Sequence, residues 1–111
     1  MLGKSDKSMG IVQGILQEEL GRLEKLYEKY QQKINDLPKG SLSVKKRHHK
    51  AFVYRAYRSK DQVKFEYIGK DSSPAAAKAK EQLQERQKYI ALLKKVKNDI
   101  QEIRRSLHGK K

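Results

Sequence analysis

The chain has 111 residues, no cysteine, and a net charge of +14 from 27 Lys and Arg against 13 Asp and Glu. Apolar and charged residues each make up 36%, which leaves room for one small core in a single domain and excludes a disulfide framework or a thiolate metal site. The longest apolar run near the N-terminus is interrupted by Gln13 and Gly14, too short for a membrane span or a signal peptide, so a soluble, cytoplasmic protein is expected.

In the first third of the chain, Leu16, Leu20, Leu23, Tyr27, Tyr30, Ile34 and Leu37 recur at steps of three and four, with Glu and Lys between them. That spacing predicts a helix over 9–37 with a narrow apolar seam, stopped by Pro38. Charge here is balanced, six basic against six acidic side chains in residues 1–37.

From Pro38 to Lys70 the balance changes to ten basic residues against two acidic ones. The segment GSLSVKKRHHKAFVYRAYRSKDQVKFEYIGK alternates with a period of two, which predicts a three-stranded antiparallel meander over 41–68. A two-residue loop at Lys60-Asp61 would pair Tyr54 with Tyr67 and Ala56 with Phe65. A three-residue loop, His48 to Lys50, would pair Val44 with Tyr54. With these registers one face holds Leu42, Val44, Phe52, Tyr54, Ala56, Val63, Phe65 and Tyr67 and reads as the core face. The other holds Ser43, Lys45, Arg47, Val53, Arg55, Tyr57, Lys64, Glu66 and Ile68 and reads as cationic and exposed.

After the sheet, Ser73 is a natural N-cap and Pro74 suits the first helical position. Tyr89, Leu93, Val96, Ile100, Ile103 and Leu107 continue the three-four spacing, so a second helix is expected over 73–107, about 50 Å long. Its small Ala75, Ala76 and Ala79, with Leu83, would let it lie close on the sheet. The fold class expected is α+β: two long antiparallel, coiled-coil-like helices flanking the three-stranded sheet.

A polyanion partner follows from the charge, and the sheet is its expected seat. Arg55 and Lys64, mid-face, would reach base edges in the major groove of duplex DNA, and Tyr57 would contact a phosphate or stack on an unpaired base. Lys45, Lys46, Arg47 and Lys50 suit phosphates, which supply affinity without sequence information, and Arg58 is also expected at the interface. Glu66 opposite Arg55 offers a purely structural reading of that arginine as a cross-strand ion pair.

The segment resembles the AP2-like, arm-type DNA-binding domain of tyrosine recombinases in its Gly40-Ser41 start, basic Lys45 to Arg47, aromatic Phe52 to Tyr57, polar Ser59 to Asp61, third strand Val63 to Tyr67 and helix from Pro74. The resemblance implies DNA binding, and DNA is expected ahead of RNA, although the residues themselves leave the two open. Those domains lack a long preceding helix and end their third strand differently from YIGK. Residues 37–107 are also similar to small uncharacterised prokaryotic proteins with a GS start, an aromatic second strand, a YIGK end and a long charged helix, which implies helices flanking a small sheet.

No enzyme, cofactor or metal is expected. His48 and His49 are adjacent and cannot jointly face one metal, and no carboxylate pair accompanies them. A tyrosine nucleophile would need a larger catalytic domain. The rival reading is a protein-interaction module of a mobile element or phage, such as an inhibitor of a host nucleoprotein defence complex. Leu26 and Leu92, beside the seams, would then supply a stripe for homodimerisation or a protein partner. Lys94, Lys95, Lys97, Arg104, Arg105, Lys110 and Lys111 either lengthen a phosphate footprint or form a solvated helix face.

Overall fold

The computed structural model describes residues 2–108, with side chains from Gly10 onward; Lys110 and Lys111 lie outside the described residues. The order of elements is α1 (Leu2–Asp36), β1 (Ser41–Arg47), β2 (Lys50–Ser59), β3 (Gln62–Lys70) and α2 (Pro74–Leu107). The strands form one antiparallel sheet in the order β1-β2-β3, so the architecture is the expected α+β arrangement of two helices and a meander. The chain divides into two compact units, Met1–Gln32 with Ile90–Lys111, and Lys33–Tyr89.

The first unit is built from the two helical seams. Leu23, Val96 and Ile100 are buried together, and Leu20, Leu26, Tyr27, Tyr30 and Ile103 pack around them. Burying each such aliphatic side chain stabilises by about 1.5–3 kcal/mol. Glu24 on α1 accepts from Arg104 on α2 at 3.1 Å, which fits an antiparallel pair. The expected second stripe is not free: Leu26 packs against this core, and Leu92 is half-buried. Among the described side chains, the exposed large apolar residues of α1 are instead Ile11, Val12 and Ile15.

The second unit holds the sheet. Its buried apolar side chains are Ile34, Val53 and Ala76. The junction of β3 and α2 explains why the strand ends in YIGK. Ser73 Oγ accepts from the Ala76 amide at 3.1 Å and donates to the Lys70 carbonyl at 2.6 Å, so it caps α2 as its position predicts. Gly69 lies at φ 156°, and a Cβ there would come within 2.8 Å of Ser73 Oγ and 3.8 Å of the Ala75 Cβ. The chain can make this tight entry into the helix only without a side chain at that position.

Two sequence-based expectations about the sheet are overturned. Arg47 pairs with Lys50 across a two-residue turn at His48-His49, not the three-residue loop expected, so β1 shifts by one residue and Val44 faces Val53 rather than Tyr54. Both histidines adopt left-handed backbone, φ 49° and 68°, the conformation a tight hairpin requires and usually obtains from Asn-Gly. The β2–β3 register is as expected, with Tyr54 opposite Tyr67 and Ala56 opposite Phe65.

The assignment of faces is reversed for β2 and β3, whereas in β1 the one-residue slip leaves Leu42 and Val44 on the side of Val53 and Ser43, Lys45 and Arg47 on the open side, as expected. Val53, expected on the exposed face, is fully buried, while Val63, Phe65 and Tyr67, expected in the core, are 54%, 59% and 55% exposed. The small residues where β3 enters α2 account for it. The start of α2 presents Ala75, Ala76 and Ala79, and the facing strands answer with Val53 and Gly69. Val53 and Ala76 are both fully buried there beside Gly69, and a ring in place of Val53 would overpack that spot. A β-bulge between Val53 and Tyr54 gives β3 one extra residue, which keeps both Ile68 and Gly69 on the helix side.

Candidate nucleic-acid interface

The open face follows from the register. Directly opposed residues share a face, so Ser43, Tyr54 and Tyr67 form one row, with Ser41, Ala56 and Phe65 beside it. Lys45 and Phe52, with Lys70, continue the series toward one end, and Arg47 and Lys50 close it at the histidine turn. Arg58 and Val63 stand at the opposite end. This surface therefore has an aromatic centre and a cationic border.

Its geometry is specific. The rings of Tyr54 and Tyr67 have centroids 5.4 Å apart and planes tilted by 59°, and Phe52 and Tyr67 are 6.3 Å apart at 50°. Lys45 reaches across the sheet, its Nζ 5.1 Å from the Tyr54 ring centre and 5.0 Å from that of Phe65. At an exposed site each such contact stabilises by about 0.5–1 kcal/mol, so the ammonium rests on the rings without being locked there.

The electrostatics of this face are one-sided. Glu66 is the only acidic residue in the three strands, and it lies on the other face opposite Arg55. Among the described residues, Lys45, Arg47, Lys50, Arg58 and Lys70 are exposed, and none has a carboxylate partner. Outside the strands the nearest acids in sequence are Asp61 in the β2–β3 turn and Asp71 after Lys70, and Asp71 pairs with Lys80, so the face keeps an excess of positive charge.

The predicted base-reading residues stand elsewhere. Arg55 is on the helix side, with its side chain 21% exposed. It donates from Nε to Glu66 Oε1 at 2.9 Å and from Nη1 to the Lys39 carbonyl at 2.6 Å, and its guanidinium lies 4.4 Å from the Tyr57 ring centre. The bond to the Lys39 carbonyl ties the segment after α1 to the sheet, and the cross-strand ion pair with Glu66 is the one expected of a structural arginine. Tyr57 and Lys64 oppose each other on the same helix-side face, and Lys46 pairs with Ala51 there. Of the eight residues expected at the interface, Lys45, Arg47, Lys50 and Arg58 share the open face; Lys46, Arg55, Tyr57 and Lys64 do not.

Sequence reasoning missed the central part of the surface: Phe52, Tyr54, Phe65, Tyr67 and the border residue Lys70. The signal that could have found them was Gly69 before the capping serine together with the alanine run after it, because such small residues pack against a Val such as Val53 rather than against a ring. Among the described residues no cluster of His, Asp or Glu is placed to hold a metal ion, and no helix is long and apolar enough to cross a membrane.

No curated protein and no solved structure matches the chain. The family model of a domain of unknown function, DUF6788, matches residues 15–85, which take in the whole sheet and parts of both helices, and the chain belongs to that family.

Proposed function

We propose that this protein binds nucleic acid without catalysis, through the open face of its sheet. The observation that carries this reading is the set of five exposed cations, Lys45, Arg47, Lys50, Arg58 and Lys70, around a cluster of rings of which Phe65 and Tyr67 are more than half exposed. Cations without acidic partners attract phosphates, and exposed rings give bases an apolar surface to lie on. Groove docking of the kind seen in recombinase arm-type domains would also use the open face, with Arg47 and Arg58 replacing Arg55 as the arginines available to a duplex.

Salt dependence tests the proposal. If all five cations neutralise phosphates, log K falls against log salt with a slope of about −3.5 for a single strand or −4.5 for a duplex. Between 50 and 200 mM salt this is a loss of about one hundredfold to five hundredfold in anisotropy titrations with labelled 12-mers. Absence of binding to any oligonucleotide at 50 mM salt refutes it.

A second reading, a protein-interaction module, is favoured by Ile11, Val12 and Ile15, which are 53–65% exposed on consecutive turns of α1. Sedimentation over a concentration series tests self-association at that stripe, with Ile15→Glu expected to abolish it.

A further inference from the structure

We infer that the open face selects unpaired bases: its ligand class is single-stranded nucleic acid, held by bases laid on Tyr54, Phe65 and Tyr67 while the border cations follow the phosphates. The inference rests on the nucleic-acid reading above and specifies its substrate.

Three observations carry it. The first is what occupies the centre of the face. A protein that reads a duplex groove must bring donors and acceptors to base edges, and here the centre offers ring surfaces, with the arginine that could have served held on the other side by Glu66 and the Lys39 carbonyl. Base faces, the complement of ring surfaces, are available only where pairing and stacking are broken.

The second is the tilt between neighbouring rings. Bases laid on Tyr54 and on Tyr67 would be inclined by about the 59° that separates the rings, and those on Phe52 and Tyr67 by about 50°. A duplex keeps its bases parallel. A single strand, free to splay, can follow the rings one base at a time.

The third is Lys45. Its ammonium rests over the Tyr54 and Phe65 rings, the surfaces a base would take. Base stacking on an aromatic side chain outweighs an exposed cation–π contact, so an incoming base displaces the lysine, which then turns to the adjoining phosphate. One side chain thereby covers the rings in the free protein and contributes charge in the complex. Nothing in this mechanism distinguishes ribose from deoxyribose.

The test is fluorescence anisotropy at 100 mM salt with three labelled probes: dT12, rU12 and a 12-base-pair DNA duplex. They are titrated with the wild-type chain and with Tyr67→Ala, Tyr67→Phe and Phe65→Ala. Tyr67 and Phe65 are more than half exposed, so these variants retain the fold, which circular dichroism verifies. The expected result is that one or both single strands bind at least tenfold more tightly than the duplex. Tyr67→Ala and Phe65→Ala should each weaken single-strand binding about tenfold, within the range found for loss of one stacked base, while Tyr67→Phe stays within twofold of wild type. Comparison of dT12 with rU12 identifies the sugar. Duplex binding equal to or tighter than single-strand binding, or single-strand binding indifferent to both alanine variants, overturns this inference and leaves nucleic-acid binding standing. Failure to bind any probe, with sedimentation showing a dimer that Tyr67→Ala dissociates, overturns both and assigns the face to a second copy of the chain.

Discussion

Arg55 separates a structural account of the sheet's charge from a recognition account, because it is the most cationic-looking residue of β2 and yet faces α2. Replacement by Ala removes the bond to the Lys39 carbonyl, the pair with Glu66 and the stacking on Tyr57. The Glu66 carboxylate is about half exposed and regains water, so its pair contributes little; the charge-assisted bond to a main-chain carbonyl contributes more. Together the losses come to about 2–3 kcal/mol. For a domain of this size that lowers the melting temperature by roughly 10–20 °C. Arg55→Lys keeps the charge but lacks the planar fork, and should recover less than half of the loss. Thermal unfolding followed by circular dichroism measures both variants, and anisotropy below their melting temperatures measures what remains of binding. The account expects affinity to fall by less than about threefold, against roughly fivefold or more for a residue that reads a base edge. A large loss of affinity with an unchanged melting temperature, restored by Lys, would refute the reasoning.

Three further outcomes follow from the same packing. Val53→Ala, at the fully buried position opposite Gly69, should destabilise by about 2 kcal/mol in denaturant unfolding, whereas Val63→Ala on the open face should change stability by less than about 0.5 kcal/mol. Gly69→Ala should cost about 2–3 kcal/mol, since it adds a side chain against Ser73 in a backbone conformation that disfavours one; the melting temperature reports it. Replacing His48-His49 by Asn-Gly relieves left-handed backbone at both turn positions and should raise stability by about 1 kcal/mol without altering nucleic-acid affinity.

The helices were legible because their signal is redundant. Leu16, Leu20, Leu23, Tyr27, Tyr30 and Ile34 on α1, Leu37 just after it, and Tyr89, Leu93, Val96, Ile100, Ile103 and Leu107 on α2, are all buried or half-buried, as the three-four spacing implies. The second hairpin was legible for the same reason, with several cross-strand pairs agreeing on one register. The first hairpin was not: its turn holds two histidines where the favoured residues are Asn and Gly, so a longer loop looked cheaper than the strained one that forms. That single residue of slip moved Lys45 and Arg47 onto the aromatic face.

The choice of buried face failed for a different reason. Their large apolar area makes Phe52, Tyr54, Phe65 and Tyr67 look like better core material than Val53, Gly69 and Ala51, but burial also depends on the space available. Ala75, Ala76 and the glycine before Ser73 set that space, and their size decides the question against the rings. The candidate site was thus half visible: its cations were in the sequence, and its aromatic centre was concealed by its own hydrophobicity.

The most direct test of the central claim is to locate bound nucleic acid on the protein. Oligonucleotides carrying 4-thiothymidine or 4-thiouridine, irradiated in complex with the full chain and mapped by peptide mass spectrometry, report the residues that touch bases. The account predicts adducts in the β2 segment Phe52–Tyr54 and the β3 segment Phe65–Tyr67, lost when Tyr67 is replaced by Ala. Adducts confined to α1 or α2, or at Tyr57 on the helix-side face with none on Tyr54 or Tyr67, would contradict it.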